Sequence, residues 1–240
     1  MDKQGLKTSL IVSVVVMIIL CIYLVFYIVS QYNSTTNTNN SKIVENSNSA
    51  DILLLERYVD AFNNNCVDMK SFYTGKTLFS DIDSNIKLTT ILNMNNNYNK
   101  NYIEAEYKKI FNEEVDINKV TGTCPKISYN DDKVNKFDCT CKTRSGVVSK
   151  YIKSIKSSDS IKLYYKLAFY SSKKYLGNES RILSKDASGK EIIDSRVIND
   201  DIKEINYQEY LNDNYNDFYT FVYTFKNNNG NYYFYSIVRK

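Results

Sequence analysis

The chain contains no histidine and no tryptophan, and it has one proline and seven glycines in 240 residues. The missing histidine removes Ser-His-Asp and Cys-His catalysis, and with them His-ligated zinc. Neither sign of charge is in large excess. The formal net charge is +4, spread along the chain. That is too weak and too diffuse to argue for nucleic acid as a partner. Asparagine, lysine, isoleucine and tyrosine dominate instead, as an AT-rich genome would produce. The 22 tyrosines are therefore weak evidence for a binding surface. Hydrophobic residues make up 43%, enough for a core in one or two domains.

One long apolar run is present. "TSLIVSVVVMIILCIYLVFYIVS", Thr8–Ser30, holds no charge, and roughly 20 apolar residues suffice to cross a bilayer as a helix. Lys3 and Lys7 precede it, and the next charge is Lys42. The positive-inside rule then places residues 1–7 in the cytoplasm, residues 8–30 in the lipid bilayer and the remainder outside. Tyr23, Tyr27 and Tyr32 suit the outer interface. A cleaved signal peptide has a shorter apolar run and a small-residue cleavage site. A lipoprotein signal needs a small residue before its cysteine, where Leu20 precedes Cys21. An uncleaved anchor in the cell membrane is the reading that remains.

Residues 31–49 carry almost no apolar side chains and read as a flexible tether. Asn33 with Thr35 and Asn178 with Ser180 fit a glycosylation pattern, discounted without a eukaryotic context. An extracytoplasmic domain follows over 50–240. Ser49 is a candidate cap for a helix whose stripe is Ile52, Leu55, Val59 and Phe62. "SNIKLTTILNM" reads as a second helix capped by Ser84. "YIEAEYKKIFNEEV" reads as a third, with Ile103, Tyr107, Ile110 and Phe111 on one face and a Glu104–Lys108 pair one turn apart.

The period then changes from 3.6 to 2. In "SIKLYYKLAFY", Ile161, Leu163, Tyr165, Leu167 and Phe169 alternate with Lys162, Tyr164, Lys166 and Tyr170, the pattern of a half-buried antiparallel strand. "KDASGKE" reads as a turn and "YQEYLNDNY" as a short helix. "FYTFVYTFKNNNGNYYFYSIV" is the strongest hairpin signal. A loop at Asn227–Gly230 would set Phe225 opposite Tyr232 and Tyr223 opposite Phe234. Helices first and strands second give an α+β class, with the helices on one face of an antiparallel sheet that ends in the C-terminal hairpin.

Several motifs fail on inspection. "YTGKT" at Tyr73–Thr77 lacks the earlier glycine of a P-loop, since position 70 is Lys70. "DIDSN" at Asp81–Asn85 lacks the glycine and the bidentate glutamate of a calcium loop, with Ile86 and Leu92 in those places. Its side chains read instead as caps for the next helix. "VTGTC" at Val120–Cys124 resembles the nucleophile strand of sortases, which need the histidine that is missing here. Paired carboxylates stay open, but no spacing singles out a pair. No catalytic, cofactor-binding or metal-ligating residue is singled out, and no cofactor is implied.

Cys66, Cys124, Cys139 and Cys141 fall outside the membrane, where thiols tend to be oxidised. A lone C-x-C is not the double knuckle of a Cys₄ zinc site. "CPKISYNDDKVNKFDC" reads as a hairpin with its loop at Asn130–Lys133 and Tyr129 facing Val134. Counting outward sets Cys124 opposite Cys139, the first disulfide candidate. Cys141 and Cys66 are the competing partners; free thiols and metal binding are the alternatives.

The short basic N-terminus, the apolar anchor, "YKKIFNEEV", the cysteine-bounded hairpin and the closing "YTFKNNNGNYYFYSI" resemble a group of uncharacterised single-pass envelope proteins of AT-rich Gram-positive-type bacteria. The group's usual glycine after "KKIF" is Asn112 here. The resemblance implies architecture and no activity. The expected function is a non-catalytic, membrane-anchored domain for interaction with an envelope protein or wall component, or for envelope assembly. Two alternatives stand beside it. One is a carboxylate-dependent wall or glycan hydrolase. The other is an assembly subunit of a secretion or conjugation machine with a cystatin-like or NTF2-like domain.

Overall fold

Helix α1, Ala50–Asn63, starts where expected. Ser49 accepts a hydrogen bond from the Ile52 amide at 3.4 Å, and Ile52, Leu55, Val59 and Phe62 are buried. The structure, a computed structural model, describes residues 42–44, 49–65, 70–95, 98–120, 126–137, 146–175, 178–198 and 206–240. Helix α2, Ser84–Met94, is capped by Asp83 and not by Ser84. The Asp83 carboxylate accepts from the Asn85 amide at 2.7 Å, and Ser84 becomes the first helical residue. The capping role read into "DIDSN" is thus carried by Asp83. Helix α3, Lys100–Phe111, is shorter than its periodicity indicated. Asn112 takes a left-handed conformation (φ 55°) and closes the helix, its amide donating to Lys108 O. Asparagine tolerates that conformation where glycine is more usual. Beyond this turn Lys108 pairs with Glu114 at 2.8 Å instead of with Glu104.

The strands are β1 (Lys42–Val44), β2 (Lys76–Leu78), β3 (Lys126–Asn130), β4 (Lys133–Phe137), β5 (Gly146–Lys156), β6 (Ser160–Tyr175), β7 (Asn178–Ser184), β8 (Ile192–Ile198), β9 (Thr220–Asn228) and β10 (Asn231–Arg239). Helix α4, Tyr207–Asp213, precedes β9. The main sheet is antiparallel, in the order β1-β5-β6-β9-β10-β2. Strand β6 organises it. Strand β5 follows one edge of β6; on the other edge β9 pairs with Ser160–Lys166 and β7 pairs with Phe169–Tyr175. Strand β8 adds to β7. Strands β3 and β4 form a separate hairpin in which Tyr129 faces Val134, as the sequence indicated.

The inner face of β6 is the one the alternation marks. Ile161, Leu163, Tyr165, Leu167 and Phe169 are all buried and join one core with α1, α2, α3, β9 and β10. Helix α4 departs from the one-sided expectation. Its Leu211 packs with Ala168, Leu183 and Phe218 in a second cluster. Ala168 alternates with Leu167 and Phe169, so α4 covers the opposite face, where a small side chain leaves room for it.

The C-terminal hairpin is tighter than expected. Asn229 (φ 52°) and Gly230 (φ 90°) form a two-residue turn, the connection whose twist matches the strands. Phe225 therefore faces Phe234, with ring centroids 4.5 Å apart. A bulge between Phe234 and Ser236 then moves Tyr223 opposite Ile237.

Among the described residues no helix is long and apolar enough to cross a membrane; the stretch 8–30 lies outside them. So do all four disulfide candidates, Cys66, Cys124, Cys139 and Cys141. Of the polar stretch 31–49, Lys42–Val44 pair with Lys156–Ser154 as β1.

Candidate functional site

A groove runs along the helical layer. Two adjoining hollows form it, of about 540 Å³ and about 230 Å³. The larger lies between the C-terminal halves of α1 and α2, with Ala61, Leu92, Met94 and Tyr98 against Arg57 and Asp60. The smaller lies between α1 and α3, where Leu54, Tyr58 and Tyr102 meet Glu106 and Lys109. Arg57, Met94 and Asn95 border both.

The helices position these groups by simple rules. The core stripe of α1 leaves Leu53 and Leu54 on the outside, 50% and 38% exposed. Tyr102, in the first turn of α3, is 37% exposed and donates to Asn95 Oδ1 at 3.2 Å. Asn95 in turn donates to Ile91 O at 3.1 Å and caps the end of α2. Asn93 reaches Ala61 O at 3.3 Å, tying α2 to α1. The groove floor is thus held by side chain to backbone bonds, while its rim presents leucine, methionine and tyrosine.

Two carboxyl groups stand one turn apart on α1. Burial raises Glu56 above the ordinary carboxylate range, and the neighbouring Asp60 raises it further. Asp60 is raised by lost hydration on its packed side, against a hydrogen bond from Ser149. The Tyr58 hydroxyl is pushed up to about 12, first by burial and then by Glu106 and Tyr102, with Arg57 opposing. Glu56 and Asp60 share one helix face and do not confront each other across a cleft. Asp60 alone borders the groove.

Among the described residues no group of three or more Cys, Asp or Glu side chains is placed to hold a metal ion. The segment "YTGKT" closes a turn of 3-10 helix and enters β2, and its Tyr73 is a core residue at 1% exposure. Sequence reasoning passed over the groove residues Leu54, Met94, Tyr98 and Tyr102. One signal was available: Leu53 and Leu54 lie off the core stripe of an otherwise amphipathic helix. Compared with protein-family models, curated proteins and solved structures, the chain matches none of them.

Proposed function

We propose that the chain is a single-pass membrane-anchored ectodomain that acts by binding a protein partner in envelope assembly, through the α1–α2–α3 groove. The observation that carries this is the rim of the groove, where Leu54 and Tyr102 stand exposed beside Met94. Apolar and aromatic side chains gathered on one face, rimmed by Arg57, Asp60, Glu106 and Lys109, have the make-up of a protein-binding patch. The anchor is supported by the uncharged run Thr8–Ser30. The hydrolase alternative needs carboxyls on opposite sides of a substrate. Glu56 and Asp60, neighbours on one helix, give it no such geometry.

The third reading, an assembly subunit with a cystatin-like or NTF2-like domain, draws support from the order of elements. A first helix, a short strand paired with the last strand, two more helices and then an antiparallel sheet over the first helix give that general shape. This is analogy of fold alone, and it too places the function in assembly.

A photo-crosslinking residue at Leu54, in the full chain in its own cells, tests the proposal. A discrete adduct is expected, and it should be lost on Met94→Glu. The same probe at Lys119, an exposed side chain outside the groove, should give none. No adduct, or equal adducts at both positions, would contradict the reading.

A further inference from the structure

Strands β5, β6, β9 and β10 contain no aspartate or glutamate at any position. Their lysines are not scattered. Lys150 pairs with Lys166 and Lys153 with Tyr164 between β5 and β6, and Lys162 pairs with Thr224 of β9. These positions alternate with the buried Leu163, Tyr165 and Leu167, so they share the sheet face turned away from α1, α2 and α3. Lys226 lies on the same face, its ammonium 3.7 Å from the centre of the Tyr235 ring. Lys153 stands 5.4 Å over Tyr164. A charge that looks diffuse along the sequence is therefore gathered on one surface by the two-residue period of the strands.

Not all of these lysines are free to act outward. Lys166 donates to Phe218 O at 2.6 Å and Lys150 to Asn212 O at 3.1 Å, which ties both to the α4 segment. Lys153, Lys162 and Lys226 remain, interleaved with Tyr164, Tyr233 and Tyr235. The acids nearest in the chain are Asp159 in the β5–β6 turn, which accepts from Ser157 and Ser160 and partly offsets Lys226, Asp213 at the end of α4 and Asp217 just beyond it. The cations are spread over β5, β6 and β9 and do not converge on one point, so a broad anionic surface fits them better than a small anion.

We infer that this lysine–tyrosine face docks on the anionic headgroups of the bilayer that anchors the chain. The inference rests on the proposed anchor at Thr8–Ser30. It is favoured over a soluble polyanion by where the chain enters the domain. Strand β1 pairs with Lys156–Ser154, at the edge of this same sheet. Eleven residues, 31–41, separate the proposed anchor from β1, a reach of at most about 36–40 Å. Each lysine at an anionic surface strengthens binding only about fivefold. Three would not hold a free domain, but tethering supplies an effective concentration on the order of millimolar. Docked this way, the domain turns the α1–α2–α3 groove away from the membrane, toward a partner. Tyrosine suits such a contact, with an apolar ring and a hydroxyl that stays wet.

The test uses the full chain reconstituted in vesicles of phosphatidylcholine, with or without phosphatidylglycerol, and reads the acylation rate of each lysine by mass spectrometry. On anionic vesicles at low salt, Lys153, Lys162 and Lys226 should react about fivefold or more slowly. High salt should abolish the protection. Lys108 and Lys119, with side chains 66% and 83% exposed, should react alike on both. Equal rates for the three sheet lysines on both vesicles would overturn the inference while leaving the anchor standing. Protection by added heparin but not by phosphatidylglycerol would overturn it in favour of a soluble polyanion. Release of the chain from vesicles by alkaline carbonate would show that the anchor itself fails, and the docking with it.

Discussion

The Tyr223 hydroxyl donates to Asn63 Oδ1 at 2.6 Å, joining the middle of β9 to the last residue of α1. Tyr73 donates to the same oxygen at 2.7 Å. All three residues are buried, Tyr223 completely and Asn63 at 4% exposure. Burial, the largest cause, holds both phenols far above their ordinary range, so both remain donors at any working pH. Asn63→Ala removes the shared acceptor of two hydroxyls that can still bond each other, and should cost about 1–3 kcal/mol. Tyr73→Phe and Tyr223→Phe should each cost about 1 kcal/mol. Urea unfolding of the three single variants, and of Asn63→Ala combined with each phenylalanine, checks this. The combined variants should be less damaged than the sum.

Lys87 is 1% exposed on α2 and meets Glu113 at 2.6 Å, just past the end of α3. The pair fixes the segment after Asn112 against α2. Removing only the partner strands an ammonium in the core, so Glu113→Gln should cost about 1.5–3 kcal/mol. Lys87→Met replaces the charge with a side chain of similar length and should stay within about 1 kcal/mol of the parent. Thermal melts of both variants decide it. Equal losses would mean that the pair itself contributes net stability.

Glu56 and Asp60 have folded-state pKa values above the ordinary carboxylate values. The folded state therefore binds protons more tightly than the unfolded chain. Their contribution is fully present below the unfolded pKa and is lost as pH rises through the folded values. Glu56→Gln and Asp60→Asn should both melt higher than the parent at neutral pH. The gap should close as pH falls below the ordinary carboxylate range. A gap that widens on acidification would contradict the sign.

Asp186, in the β7–β8 turn, has the opposite sign. Burial alone would raise it, but hydrogen bonds from the Ser188 hydroxyl and from the backbone amides of Glu191, Ser188 and Lys190 outweigh that and hold it low. Its stabilisation is present at neutral pH and is lost as pH falls from the ordinary aspartate value through the depressed one. Asp186→Asn should cost about 1.5–3 kcal/mol near neutrality, with the difference vanishing in acid. Melting temperature against pH for parent and variant measures it.

Helices α1 to α3, the inner face of β6 and the existence of the closing hairpin were legible because each rests on local periodicity. Their ends were less so. Ser84 and Asp83 are both good caps, and only the backbone geometry decides between them. Asn112 ends α3 through a left-handed turn that an asparagine permits without announcing. The hairpin loop was miscounted because five Asn/Gly residues in a row, 227–231, leave the register open until Asn229 and Gly230 take positive φ. Packing between distant elements was not legible. The groove brings Leu54, Met94 and Tyr102 together from three helices. The lysine face needs the pairing of β5, β6 and β9 to set Lys153, Lys162 and Lys226 side by side.

Both the groove and the docking face presuppose that residues 42–240 stand outside a membrane spanned by residues 8–30. Protease added to intact protoplasts, with a C-terminal epitope followed beside a cytoplasmic control protein, tests that most directly. The charge asymmetry of Lys3 and Lys7 against the uncharged flank up to Lys42 predicts loss of the epitope while the control survives. An epitope that persists beside an intact control, and is digested once the protoplasts are lysed, would contradict the account.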